Sequence, residues 1–120
     1  MPNTGNANGA TILTVPAGKF WKGSISLSAT LAVAAGGAAG TQYPSITVSG
    51  ADGSWADGDT VLRLALFVPA VSLTALAGAL ASGNISISDI QVKAGANPIT
   101  LILNIGPGVT GTGTAIGEIR

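Results

Sequence analysis

Three carboxylates, Asp52, Asp57 and Asp59, crowd the segment Gly-Ala-Asp-Gly-Ser-Trp-Ala-Asp-Gly-Asp. Carboxylates on a tight glycine-rich loop converge easily, and that is the ligand chemistry of a hard cation such as calcium. Two of them flanking a sugar would instead make an acid and base pair, with Trp55 or Trp21 as a stacking platform. The spacing fits no EF-hand loop, and Asp and Gly are also the ordinary residues of turns, so a structural turn is the first expectation and no metal is expected. The run Gly106-Pro107-Gly108-Val109-Thr110-Gly111 has the spacing of a dinucleotide-binding loop. A phosphate site would need a helix opening there to aim its free N–H groups, and a β pattern follows instead, so no cofactor is expected. Asn84-Ile85-Ser86 is a glycosylation acceptor pattern, but residues 1–9 read as no signal peptide, so the pattern is set aside. The chain has no cysteine and no histidine. Disulfides, thiolate chemistry, the usual zinc ligands and every imidazole-dependent triad are thereby excluded, and no catalytic residue is expected.

What remains is contact chemistry. Trp55 in the polar loop is the best single contact residue, since tryptophan buries a large area at an interface, although it could equally plug one end of the domain. Phe20 and Trp21 beside Lys19 and Lys22 form a second mixed patch, with core packing as its plainer use. Asn3, Asn6 and Asn8 belong to a soft polar segment, residues 1–9, that reads as a flexible amino-terminal arm. The interface candidates are therefore Asn3, Asn6, Asn8, Phe20, Trp21 and Trp55.

The elements that must position these residues read as strands. Residues 21–33 alternate strictly, with Trp21, Ile25, Leu27, Leu31 and Val33 against Lys22, Ser24, Ser26, Ser28 and Thr30, the period of a half-buried strand. Residues 11–15 are a short β-branched run closed by a Pro-Ala-Gly turn, and residues 34–40 are an alanine and glycine linker suited to a hairpin tip. Residues 43–49 alternate again. Residues 61–68 are apolar on both faces, the pattern of a central strand ended by Pro69. Residues 70–81 fit a strand or a helix face, and the strand is preferred. Ile85 and Ile87 then slip by one residue to Ile90 and Val92, so a β-bulge at Ser88-Asp89 would keep all four inside. Ile99, Leu101, Leu103 and Ile105 share one face, and residues 109–119 read as a last strand thinned by glycine. The expectation is an all-β, antiparallel β-sandwich of about eight short strands over residues 10–120, with a jelly roll as one form of it.

The chain has 120 residues, enough for one small core, and 47% of them are hydrophobic while only 8% are charged. Whole-chain disorder is excluded. Five basic and five acidic residues cancel, so no field gathers phosphate backbones or anionic lipid, and neither nucleic acid nor membrane is an expected partner. The uncharged stretch from residue 64 to 88 is interrupted by Pro69, Ser72, Thr74 and Gly78 and lacks anchors at both ends, which argues against a membrane span. Solubility cannot rest on charge repulsion here. Surfaces covered by neighbouring subunits are depleted of charge, so much of this surface is expected to lie against protein.

Residues 11–24, Thr-Ile-Leu-Thr-Val-Pro-Ala-Gly-Lys-Phe-Trp-Lys-Gly-Ser, lead into the Ser/Thr strand, the Ala/Gly linker and Trp55-Ala56-Asp57-Gly58-Asp59-Thr60. This arrangement resembles small proteins of tailed phages that infect actinobacteria, capsid decoration or cement proteins among them. The resemblance implies a homotrimeric β-sandwich in the virion, made in the host cytoplasm and seated on the major capsid protein, with the amino-terminal arm reaching neighbouring capsid subunits. It carries over no individual functional residue. A sugar- or host-surface-binding module of a fibre or tail is the other expectation.

Overall fold

In a computed structural model the chain is all-β, and the residues described are 2–34, 36–38, 40–50, 55–70, 72, 79–106 and 108–120. Ten strands follow in order: β1 (Pro2–Gly5), β2 (Thr11–Val15), β3 (Phe20–Val33), β4 (Gly40–Gln42), β5 (Ser45–Ser49), β6 (Thr60–Arg63), β7 (Leu66–Val68), β8 (Ala79–Lys93), β9 (Ile99–Asn104) and β10 (Val109–Ile119). Sheet A has the order β1-β10-β3-β8, sheet B the order β2-β9-β5-β6, and β4 pairs with β7. Every pairing is antiparallel.

One rule generates the topology. β1 pairs with β10, β2 with β9, β3 with β8, β4 with β7 and β5 with β6. The chain is a single nested hairpin whose apex is the segment between β5 and β6, and the pairings β3 with β10 and β5 with β9 roll it closed. A long hairpin rolled into two facing sheets is the connectivity of a jelly roll.

The sheets meet through alternate residues. Ile12, Leu13 and Val15 of β2, Ile46 and Val48 of β5, and Ile99, Leu101 and Leu103 of β9 pack with Trp21, Ile25 and Leu27 of β3 and with Ile90, Val92 and Ala115 of sheet A in one buried cluster. A register shift between Thr11 and Leu13 lets the adjacent Ile12 and Leu13 both face inward. At one end of sheet A, Gly23 of β3 stands opposite Gly117 of β10, beneath the Trp21 ring. A Cβ on Gly117 would lie 2.7 Å from Trp21 Cζ2 and 2.8 Å from Gly23 Cα, so the indole seats only over bare backbone.

Sheet A is much the longer layer. β3, β8 and β10 have 14, 15 and 11 residues, whereas the strands of sheet B have four to six. At about 3.4 Å per residue β8 alone runs about 50 Å, which accounts for a long axis of 57 Å against 24 and 18 Å. Where sheet B ends, β7 takes over, and Leu66 and Val68 bury Ala29, Leu31 and Val109 in a second cluster.

Four sequence expectations are corrected. Among the described residues there are ten strands rather than about eight, because β1 and β4 are additional, the apolar run 61–68 is two strands, and the single strand β8 stands where two were expected. That run is not central: β6 is the outer strand of sheet B, Leu64 N–H donates to Pro44 O at 2.8 Å where β5 begins, and the chain then crosses to cover sheet A as β7. Both of its faces are apolar because its two halves serve different clusters. The described residues 2–9 are not a free arm, since β1 pairs with β10, Gly9 N–H donates to Leu103 O at 2.8 Å and Leu103 N–H donates to Ala10 O at 2.9 Å. The unsatisfied edges of β10 and β9 supply partners that the polar composition of the segment does not reveal. The bulge lies where the slip predicts it, with Ser88 and Asp89 both opposite Ser24 and Asp89 at φ 56°. It does not bury all four side chains: Ile90 and Val92 are buried, but Ile85 and Ile87 remain 36% and 37% exposed on the outermost strand of sheet A. Most of the segment 70–81 lies outside the described residues, although β8 already begins at Ala79. Among the described residues no helix is long and apolar enough to cross a membrane.

Candidate interaction surface

Period two in three long neighbouring strands, held in register, turns the Ser/Thr stripes into a lattice. Thr4, Thr114, Ser26 and Ser86 form one row across β1, β10, β3 and β8. Thr112, Ser28 and Asn84 form the next, and Thr110, Thr30 and Ser82 the third. All ten side chains are exposed or half-buried, at strand spacings of about 4.8 Å and row spacings of about 6.8 Å. Over these rows sheet A carries no ionic group. Its charges gather at the other end, where Glu118 stands opposite Lys22 and Phe20 opposite Lys93, and Arg120 Nη2 donates to Glu118 Oε2 at 3.2 Å.

Among the described residues the lattice ends on an unpaired edge. β8 is outermost in sheet A, and among the described residues nothing pairs with the far side of its residues 80–88. That stretch has no charge and no proline, and it exposes Leu80, Ile85 and Ile87. The other sheet ends are short: β1 and β6 have four residues and β2 five, and β6 carries Arg63, whose guanidinium lies 4.3 Å from the centre of the Tyr43 ring.

Trp55 belongs to the apex of the nested hairpin. It is half-buried against the main cluster, and its Nε1–H donates to Gln91 O of β8 at 3.2 Å. The indole thus closes β8 beyond the bulge and leaves the part before it open. In the same loop Asp57 Oδ1 accepts from Gly50 N–H at 3.0 Å and Asp59 Oδ2 accepts from Ala56 N–H at 2.9 Å, with Gly58 at φ 87°. These two carboxylates tie a turn, which is the use Asp most often has there. Asp52 lies outside the described residues, and among the described residues no three metal-ligating side chains come together.

The other interface candidates separate. Trp21 is 1% exposed and belongs to the core, so it offers no contact surface, and the interface expectation is withdrawn for it. Phe20 is half-buried at the start of β3, where its backbone exchanges two hydrogen bonds with Arg120. Asn8 Oδ1 accepts from Ile105 N–H at 3.0 Å and so ties its segment to the end of β9. Asn6 is exposed on an open groove of about 760 Å³ shared with Ser28, Asn84, Ile105 and Thr112. Asn3 lies in β1 opposite Ala115, and its side chain is outside the described residues. Gly106 and Gly108 form the turn expected of them: Val109 N–H donates to Gly106 O at 3.2 Å, Gly108 takes φ 75° and β10 follows, while Pro107 lies outside the described residues. The sequence reading missed the free edge of β8, because no residue type announces which strand is outermost.

Neither a protein-family model nor a curated protein matches this sequence.

Proposed function

We propose that this chain is a non-enzymatic structural protein that works by assembly, its copies associating with one another and with a second protein surface. The setting is the one the sequence resemblance implies, a phage virion in which the chain decorates the shell and contacts the major capsid protein. One observation carries this reading: the ionic groups of sheet A are confined to one end, which leaves a neutral hydroxyl face and an apolar strand edge. Apolar, charge-depleted patches are what lasting protein interfaces use. The jelly-roll connectivity agrees, since this architecture recurs in capsid and lectin domains, an analogy of fold and not of site. Co-sedimentation of the purified chain with phage shells that lack it is the test. Saturable binding that survives about 0.5 M salt is expected, because contacts of this kind are weakly screened. No binding, or binding lost in salt, would overturn the reading.

The groove beside Asn6 favours a second reading, recognition of a neutral glycan, because Ser28, Asn84 and Thr112 present donors and acceptors without charge. Trp55 does not line this groove, so it is not the stacking platform there. A glycan-array signal abolished by Thr112→Val would support recognition at the groove; a signal unchanged by that substitution would exclude it.

A further inference from the structure

The geometry points to a specific occupant for the open edge of β8: the same edge of a second copy, paired antiparallel about a two-fold axis through Asn84. This deepens the assembly reading and rests on it. A free strand edge presents unpaired N–H and C=O groups in a row, and natural proteins blunt such edges by shortness, charge, proline or a bulge. Here those devices surround β8 but are absent from residues 80–88. β1, β2 and β6 are short, Arg63 marks β6, Trp55 closes β8 at Gln91, and the bulge at Ser88 and Asp89 ends the regular stretch.

The register follows from three requirements. A continuous sheet puts hydroxyl faces on one side, so paired residues must share a face and their numbers must sum to an even value. Pairing must also end at Ser88, the first residue of the bulge, which places the centre of residues 80–88 at Asn84. Each inward-facing isoleucine then meets a small residue of the other copy, Ile85 opposite Gly83 and Ile87 opposite Ala81. On the outer face Ser82 meets Ser86, and the Asn84 side chains, each with a donor and an acceptor, meet each other. No charge lies in the stretch, so no like charges are opposed at any position. The result is an eight-stranded sheet with one unbroken hydroxyl lattice, in which Ile85 and Ile87 lose their exposure. The seam is a strip about 30 Å long and about 10 Å deep, smaller than a standard interface, so the association it supports is a weak one that grows with concentration. An isologous seam closes on itself as a pair, whereas the resemblance implies three copies.

The chain has no cysteine of its own, which makes the test direct. Asn84→Cys places two thiols on opposed residues of an antiparallel pair, within disulfide reach, whereas Ser28→Cys on the neighbouring interior strand stays beyond it. Mild oxidation should convert the first variant to covalent dimers and leave the second monomeric on denaturing gels. The register is checked by Ser82→Lys with Ser86→Lys, expected to raise the dissociation constant at least tenfold, against Ser82→Lys with Ser86→Glu, expected to restore it. Amide exchange on the native chain gives a readout without substitution: residues 80–88 should gain protection as concentration rises. If the chain associates but Asn84→Cys forms no disulfide and the charged pairs behave alike, the seam is wrong and assembly stands. If the native chain stays at 11.6 kDa and those amides stay unprotected at every concentration, both fail.

Discussion

β9 and the open half of β8 carry the same alternation of aliphatic residues, yet one is dry and the other half-wet. Ile99, Leu101 and Leu103 sit in the middle of sheet B with sheet A across from them, and all three are fully buried. Ile85 and Ile87 face the same interior but stand on the outermost strand of the longer sheet. Their exposure therefore reflects a mismatch in strand length and position rather than a difference in side-chain chemistry. A second copy of the edge corrects that mismatch.

The comparison breaks most sharply at Leu101. Leu101→Ala empties a site covered on both sides and should cost about 2 to 5 kcal/mol in urea unfolding, a large share of the stability of a domain this size. Gly117→Ala tests the covered end of sheet A, where a methyl would press on Gly23 and the Trp21 ring. Its cost should be about 1 to 3 kcal/mol, with a drop in Trp fluorescence anisotropy at fixed temperature as the ring loosens. Ile87→Ala should cost less, about 1 to 2 kcal/mol at low protein concentration, because the residue is only partly withdrawn from water. That cost should grow as concentration rises, since the native chain gains stability from association and the variant gains less. Leu101→Ala should show no such growth, and an equal concentration dependence in both would erase the distinction. Smallest is Arg120→Ala: it removes an ion pair whose side chains are 61% and 75% exposed, and melting should move by about 0.5 kcal/mol or less.

Local periodicity made most of this fold legible. The faces of β3, β5, β9 and β10 can be read from alternation alone, and the slip at Ser88 and Asp89 marks the bulge because one extra residue inverts the pattern. Features set by non-local pairing were hidden. β1 contains proline, asparagine and glycine and has no alternation, so only the edge of β10 makes it a strand. The run 61–68 looks like one central strand because each half is buried against a different cluster, which local sequence cannot separate. The interaction surface was half visible. Scarcity of charge between residues 64 and 88 is plain in the sequence, but rows of hydroxyls exist only once three strands are in register, and an edge exists only once a strand lacks a neighbour. Trp55 was singled out for its size, while its hydrogen bond to Gln91, which closes part of that edge, depends on a chain separation of 36 residues.

Sedimentation equilibrium of the purified chain from about 1 μM to about 1 mM tests the central claim most directly, since that range reaches weak association. The account predicts an average mass that rises from 11.6 kDa toward twice that value and is little changed between low and high salt. A mass fixed at 11.6 kDa throughout would contradict it.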